Sequence, residues 1–299
     1  MLRIVPPKFG TQEAFRLCLS ASISKQKKTL LSNYESKILT AAAAFEQACR
    51  AATLHNLDPA NFAPQQGHES DADDLVGMYT RRMGPEYPGR PVYDEARNRR
   101  IKCPLCGVGS VRQVDHHLPK STFPYLAVVP MNLVPVCADC NFLKGEKFPK
   151  VYSEQTLHPY FDEIDDQRWL HARLITLSST GQIVASLADA VPSNWYVKFF
   201  VSPPSAWRAE LTERVQYHFE AFNLAQLYED QAADDLTGIE LSMEEAYQAG
   251  GAPDVRELLE SMARSRKRPH NNTWMVALYE GLASNSWYCS GGFRQVAAG

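Results

Sequence analysis

No run of 18 apolar residues occurs anywhere in the chain, which argues against a membrane-spanning helix. The first ten residues, MLRIVPPKFG, carry prolines where a secretion signal needs an unbroken apolar stretch, so a cytoplasmic protein is expected. There is no G-x-x-x-x-G-K-[ST] loop, so any dependence on ATP must come from another chain. Internal repeats and low-complexity segments are also missing. Cysteine is scarce, at seven in 299 residues. Three of the seven, Cys18, Cys49 and Cys289, stand far apart without a pairing pattern, which argues for reduced thiols rather than a disulfide framework. An excess of positive charge is lacking as well: 31 Lys and Arg face 34 Asp and Glu, for a net charge of −3.

What is present is unevenly distributed. Hydrophobic residues make up 44% of the chain, enough to bury a sizeable core in one large or two modest domains. Residues 81–150 hold twelve Lys and Arg against six Asp and Glu, while the remainder holds 19 against 28. A basic segment on an acidic body is what local phosphate binding needs. The other four cysteines lie in that segment as two Cys-x-x-Cys pairs, Cys103/Cys106 and Cys137/Cys140. Each such turn points two thiolates into one space, and two turns make a tetrahedral four-sulfur site suited to zinc. Gly107 lets the first turn close tightly.

The 30 residues between the pairs must fold on their own. Val111 to His116 alternates apolar and polar as a short strand does, Pro119 and Pro124 break the next stretch, and Asn132 to Val136 forms a second short run. A helix is expected from Ala138 to Lys147. Strand, loop, strand and helix make a ββα unit with zinc fastening its ends. Asp115 and His116 fall at the end of its first strand, Asn132 opens the second, and Asn141 lies on the first turn of the helix.

Around this unit the chain reads as mostly helical, so the expected class is α+β: a helical protein with an embedded zinc-stapled ββα core. Three stretches are expected: a helical region over 1–90, the cysteine core over 91–162, and a β-hairpin plus helices over 163–299. Residues 11–55 suggest two helices with a break near Ser24–Lys28, preceded by an extended arm. Further helices are expected over 71–82 and 92–100. Trp169 to Ser178, a turn at Gly181 and Ile183 to Leu187 suggest a hairpin. The helices beyond it are expected near 204–222, 224–234, 239–249, 253–265 and 272–284. His158 and His218 read as packed histidines rather than ligands, and Lys25, Lys27 and Lys28 as a solvated cluster. Arg264, Arg266, Lys267 and Arg268 form a basic patch that could offer a second phosphate contact.

The order C-x-x-C, D-H, N, C-x-x-C-N, K resembles the HNH endonuclease family, the ββα-metal nucleases, over about 45 residues. The longer run LPKSTFPYLAVVPMNLVPVCADCNFLKGEKFP is similar to the HNH proteins found with retron and Septu-type anti-phage systems. The resemblance implies a metal-dependent hydrolase of DNA phosphodiester bonds. Asp115 and Asn141 would hold a catalytic divalent ion, Mg²⁺ or Mn²⁺. His116 would be the general base, and Asn132 would fix its ring. Lys120 and Lys144 would contact phosphates, and Arg100 and Arg112 are candidates to line the nucleic-acid path. His117 leaves a second frame open, in which His116 binds metal and His117 is the base. In an alternating strand Asp115 and His117 share one face, so Asp115 and His116 converge only if the strand ends or bends there.

Two other readings compete. A zinc-stabilised module that grips nucleic acid or a partner without cutting needs only the four cysteines, whereas Asp115, His116, Asn132 and Asn141 together favour the enzyme. A dithiol redox protein is disfavoured, since neither Cys-x-x-Cys follows a βαβ pattern. The flanking helices are large for a core of 45 residues. They are expected to dock a second copy of the chain or, from the resemblance, an ATPase subunit that licenses cutting in anti-phage defence.

Overall fold

The computed structural model describes residues 1–21, 23–99, 101–184 and 192–295. It is an α+β chain with two small antiparallel sheets among the described residues. The chain divides into two compact units. One comprises residues 1–163 with 213–222, the other 164–212 with 223–299.

The first unit begins with an extended arm. Leu2 donates its N–H to the Pro104 carbonyl at 2.7 Å and Ile4 to the Pro159 carbonyl at 3.0 Å, so the arm lies against the chain at the first cysteine turn. Three helices follow where two were expected: α1 (Thr11–Leu19), α2 (Lys25–Ser32) and α3 (Glu35–Ala51). The Ser24 side chain accepts from the Lys27 N–H and starts α2. Helix α2 ends where the Asn33 and Tyr34 N–H groups turn back to the Leu30 and Leu31 carbonyls at 3.1 and 3.0 Å. Next come α4 (Glu69–Thr80) and α5 (Arg90–Asn98), the latter opened by Pro91 in its first turn.

Strand β1 (Gln113–His116) pairs with β2 (Leu133–Val136), with Asp115 opposite Val134 and His116 opposite Leu133. Helix α6 (Ala138–Lys144) follows, ending at Gly145 rather than at Lys147. Phe15, Leu31, Ile38, Phe45, Leu75 and Met78 from the early helices pack in one cluster with Leu118, Phe123, Leu126 and Leu133 of the cysteine region. Each such side chain contributes about 1.5–3 kcal/mol on burial. The helices before residue 90 and the ββα segment therefore share a core.

In the second unit β3 (Leu170–Leu177) pairs along its length with β4 (Asn194–Val201). The expected turn at Gly181 and return from Ile183 are present as far as the residues are described: Ile183 bridges Leu177 and the Val184 N–H donates to the Thr176 carbonyl at 2.8 Å, while residues 185–187 lie outside the described residues. The pairing strand is the one that alternates Trp195, Val197 and Phe199 onto a buried face. Much of α7 (Ala209–Ala221) belongs with the first unit. The second unit is completed by α8 (Leu224–Gly250), α9 (Ala252–Lys267), α10 (Trp274–Ala283) and α11 (Ser286–Cys289). Helix α8 is continuous where two helices were expected. Gly238 costs it about 1 kcal/mol relative to alanine, too little to break 27 residues of helix. Two members of the basic patch are neutralised locally: Arg264 pairs with Glu257 at 2.6 Å, and Lys267 lies 3.5 Å from Glu280. No helix among the described residues is long and apolar enough to cross a membrane.

Candidate functional site

The four paired cysteines come together. Their sulfurs all lie within 4.8 Å of one another and all four residues are buried. Cys106 and Cys137 Sγ are 3.9 Å apart, and a zinc tetrahedron with 2.3 Å bonds sets its sulfurs about 3.8 Å apart. None of the seven cysteines forms a disulfide. The local backbone supports the site. The N–H groups of Val108 and Gly109 point at Cys106 Sγ at 3.5 and 3.4 Å, and that of Cys140 points at Cys137 Sγ at 3.5 Å. Gly107 follows the first pair with φ of +74°, the left-handed turn that glycine accommodates. Hydrogen bonds among the four thiols pull their pKa values apart, with Cys106 and Cys137 held below the usual thiol range and Cys103 and Cys140 pushed above it. The cluster could hold a zinc ion, and four sulfurs with no open position suit a structural role.

At the far end of β1 the residues follow the strand's alternation. Asp115 points toward α6, where Lys144 Nζ lies 2.9 Å from its Oδ2. That oxygen is buried and makes no aligned hydrogen bond, so the contact is an ion pair rather than a directed bond. Asn141 lies three residues before Lys144 on α6, hence on the same helical face. His117 points the same way as Asp115. With Lys144, Lys147, Glu154, Thr156 and Tyr217 it lines a cavity of about 40 Å³, room for one or two waters.

His116 turns to the other face. Its Nε2 lies 2.8 Å from the Ala127 carbonyl oxygen. A carbonyl can only accept, so the proton sits on Nε2 and the lone pair on Nδ1. The Tyr79 ring of α4 stands nearly perpendicular to the imidazole, with centroids 4.3 Å apart. Lys120 Nζ lies 5.8 Å from that tyrosine ring. Burial pushes the His116 pKa down to about 4, with the Ala127 carbonyl and Asp115 opposing the shift and Lys120 and Lys144 adding to it. Asp115, His116, Lys120 and Lys144 thus act on one another electrostatically, although Asp115 and His116 leave the strand on opposite faces.

Asn132 does not hold the His116 ring as expected. Its Oδ1 accepts from the Leu118 N–H at 2.8 Å, and its Nδ2 donates to the Leu118 and Leu126 carbonyls at 3.0 and 3.3 Å. It braces the loop that carries Ala127, so its influence on His116 runs through the backbone. Arg112 is exposed at the entry to β1, where its carbonyl accepts from Arg97 Nε at 3.2 Å, and no contact brings it to Asp115 or His116. Arg100 lies outside the described residues. Arg99 is engaged by Glu95 and by the Val5 carbonyl.

His158 and His218 are packed, as their context indicated. The His158 ring is 4.2 Å from that of His117, and its Nδ1 accepts from the Tyr160 N–H at 3.2 Å. His218 accepts from the Leu157 N–H at 3.2 Å and lies 2.9 Å from the Leu105 carbonyl. Sequence reasoning missed Tyr79 and the Ala127 carbonyl. Neither belongs to a motif, and the only available signal was an aromatic at the last turn of an amphipathic helix.

Among known proteins, the chain is similar to "Protein ea31" of Escherichia phage lambda. The two are 32% identical over 157 residues, which cover 51% of this chain and 48% of the phage protein. The chain thus spans about half the length of the curated relative it matches. No protein-family model and no solved structure matches.

Proposed function

We propose that the chain is a metal-dependent endonuclease of the HNH type that hydrolyses DNA phosphodiester bonds, with zinc in the four-cysteine cluster as a structural staple. One observation carries the reading. At the end of a strand–strand–helix unit, a buried carboxylate oxygen with no aligned hydrogen bond sits beside Lys144 on one face of β1, and a neutral imidazole with one committed nitrogen sits on the other face, against the ring that Lys120 approaches. The donors suit the implied ion. Asp115 and the Asn141 amide offer hard oxygens, and Mg²⁺ is commonly held by one or two carboxylates with water and phosphate completing its shell. When bound, that ion would stabilise charge on the phosphate and the leaving oxygen.

The chain's own residues would do the rest. His116 is neutral at pH 7, so it enters as a base, and its proton on Nε2 leaves Nδ1 to accept a proton from water. Lys120 and Lys144 would place ammonium groups on the phosphate oxygens. Lys144 would leave the carboxylate when a metal ion takes its place. From the anti-phage resemblance, an ATPase subunit or a second copy of the chain would be the partner, and co-purification with a neighbouring ATPase would support this.

A second reading has one observation in its favour. Lys144 already neutralises Asp115, as it would in a zinc-stapled binding module that never takes a catalytic ion. Plasmid nicking by the wild type, His116→Ala and His117→Ala, with Mg²⁺, Mn²⁺ or EDTA, separates the two. The enzyme reading expects metal-dependent nicking that His116→Ala abolishes while zinc content and fold persist. Nicking lost only in His117→Ala would select the shifted frame. A wild type that binds DNA and cuts under no condition would leave the binding module.

A further inference from the structure

Helix α4 lies well before the cysteine region in sequence, yet its last turn reaches the strand that carries His116. Tyr79 makes three contacts there. Its hydroxyl donates to the Val114 carbonyl at 2.7 Å, two residues from His116 on β1. Its ring stands at 74° to the imidazole with centroids 4.3 Å apart. Lys120 lies 5.8 Å from the ring centroid. His116 is thus held on two sides, by the Ala127 carbonyl at Nε2 and by the tyrosine ring. The hydroxyl also ties the strand to the helix that supplies the ring. An imidazole confined in this way keeps one tautomer and one rotamer, which a base must do to meet its water in the same place each time.

We propose that Tyr79 is a positioning residue for His116. It fixes the ring so that Nδ1 faces the reacting water, and it steadies the Lys120 ammonium beside it. This rests on the reading of His116 as the base. Ring and hydroxyl have separate roles. The ring confines the imidazole, and the hydroxyl keeps β1 at the right distance from α4. Nothing in the cysteine motif supplies either constraint, so the early helices are part of the site as well as its support.

The experiment compares wild type, Tyr79→Phe and Tyr79→Leu on a fluorogenic DNA duplex, with circular dichroism and zinc content as controls for folding. A displaced base loses turnover rather than affinity, so Tyr79→Leu should lower kcat about 30-fold and Tyr79→Phe about 3-fold, with KM unchanged. Unchanged kcat in Tyr79→Leu overturns the proposal, and so does a loss confined to KM, which would make Tyr79 a substrate contact. If Tyr79→Leu does not fold, the Phe variant decides: a fall in kcat at constant KM supports the proposal and wild-type kcat overturns it. Long-range ¹⁵N–¹H spectra of His116 give a readout independent of cleavage. The wild type should show a single tautomer with the proton on Nε2 and cross-relaxation to the Tyr79 ring, and Tyr79→Leu should show a mixture. A mixture already present in the wild type overturns the positioning claim even if the protein cuts DNA. A wild type that shows the fixed ring but never cuts removes the endonuclease reading alone.

Discussion

A carboxylate as enclosed as that of Asp115 needs a counter-charge, and Lys144 supplies one at 2.9 Å from a position that is itself almost fully covered. Removing the lysine strands the carboxylate. Lys144→Met should therefore cost about 1–3 kcal/mol of stability in the metal-free protein. Mg²⁺ or Mn²⁺ should then raise the melting temperature of the variant more than that of the wild type, because the ion meets an unoccupied carboxylate. Equal shifts in the two proteins, measured by differential scanning fluorimetry, would show that the lysine and the ion do not share a seat. At this scale the sequence was legible where chemistry is local. Asp115 and His116 could be singled out as neighbours, and alternation already separated their faces. The partners of Asn132 could not be read because they depend on how the loop between the strands closes, and Tyr79 because it comes from a distant helix that folds over β1.

The two Cys-x-x-Cys turns fasten the start of β1 to the start of α6. The second is built into the helix, since Cys137 is its N-cap and accepts from the Cys140 N–H. Stability of the ββα unit should accordingly depend on the metal. Cys103→Ser, or a strong chelator, should lower the melting temperature sharply, with one zinc per chain lost by spectrophotometric titration. Gly109→Ala is a subtler test. A methyl group there would sit 2.6 Å from Cys137 Cβ, a backbone-tethered atom that cannot swing aside, so the variant should bind zinc more weakly although every ligand is retained. Zinc binding equal to wild type would mean that the loop relaxes at little cost. The elements themselves were readable to the extent that pattern decides them. Alternation marked the first strand of the first sheet, and a short apolar run after the prolines marked the second. The continuity of α8 was not readable, because an internal glycine weakens a helix without saying whether packing will carry it through. The long partner of β3, β4, was missed because the nearer apolar run after Gly181, which does return along the end of β3, accounts for a hairpin by itself.

Across the whole molecule, several buried histidines tie folding to pH. Burial holds the His158 and His218 rings down to about 3, and burial likewise depresses His117. An unfolded imidazole titrates near ~6.5, so between those values the unfolded chain takes up protons that the folded chain refuses. Stability is therefore full above about pH 6.5 and falls as the pH drops toward 3, with His158 and His218 each contributing a loss of about 2 kcal/mol by pH 5. Urea midpoints at pH 7.5 and 5.0, with zinc in excess, should differ accordingly, and His218→Gln should narrow the gap. A midpoint that does not move with pH would remove the histidines from the account. The α+β class and the four-cysteine cluster were legible from spacing and periodicity alone. The assignment of residues 213–222 was not, because a helix face shows that it is apolar without showing which core it serves. That assignment constrains how the protein can be divided. Arg214 reaches Asp162 with two nitrogens at 3.1 and 2.9 Å, and His218 meets the backbone of Leu105 and Leu157. A fragment stopped at residue 163 would keep all four paired cysteines and every nuclease candidate yet leave those backbone groups and that carboxylate stripped of their mates. It should precipitate or melt early, and a synthetic peptide spanning 209–222, added in trans, should rescue it.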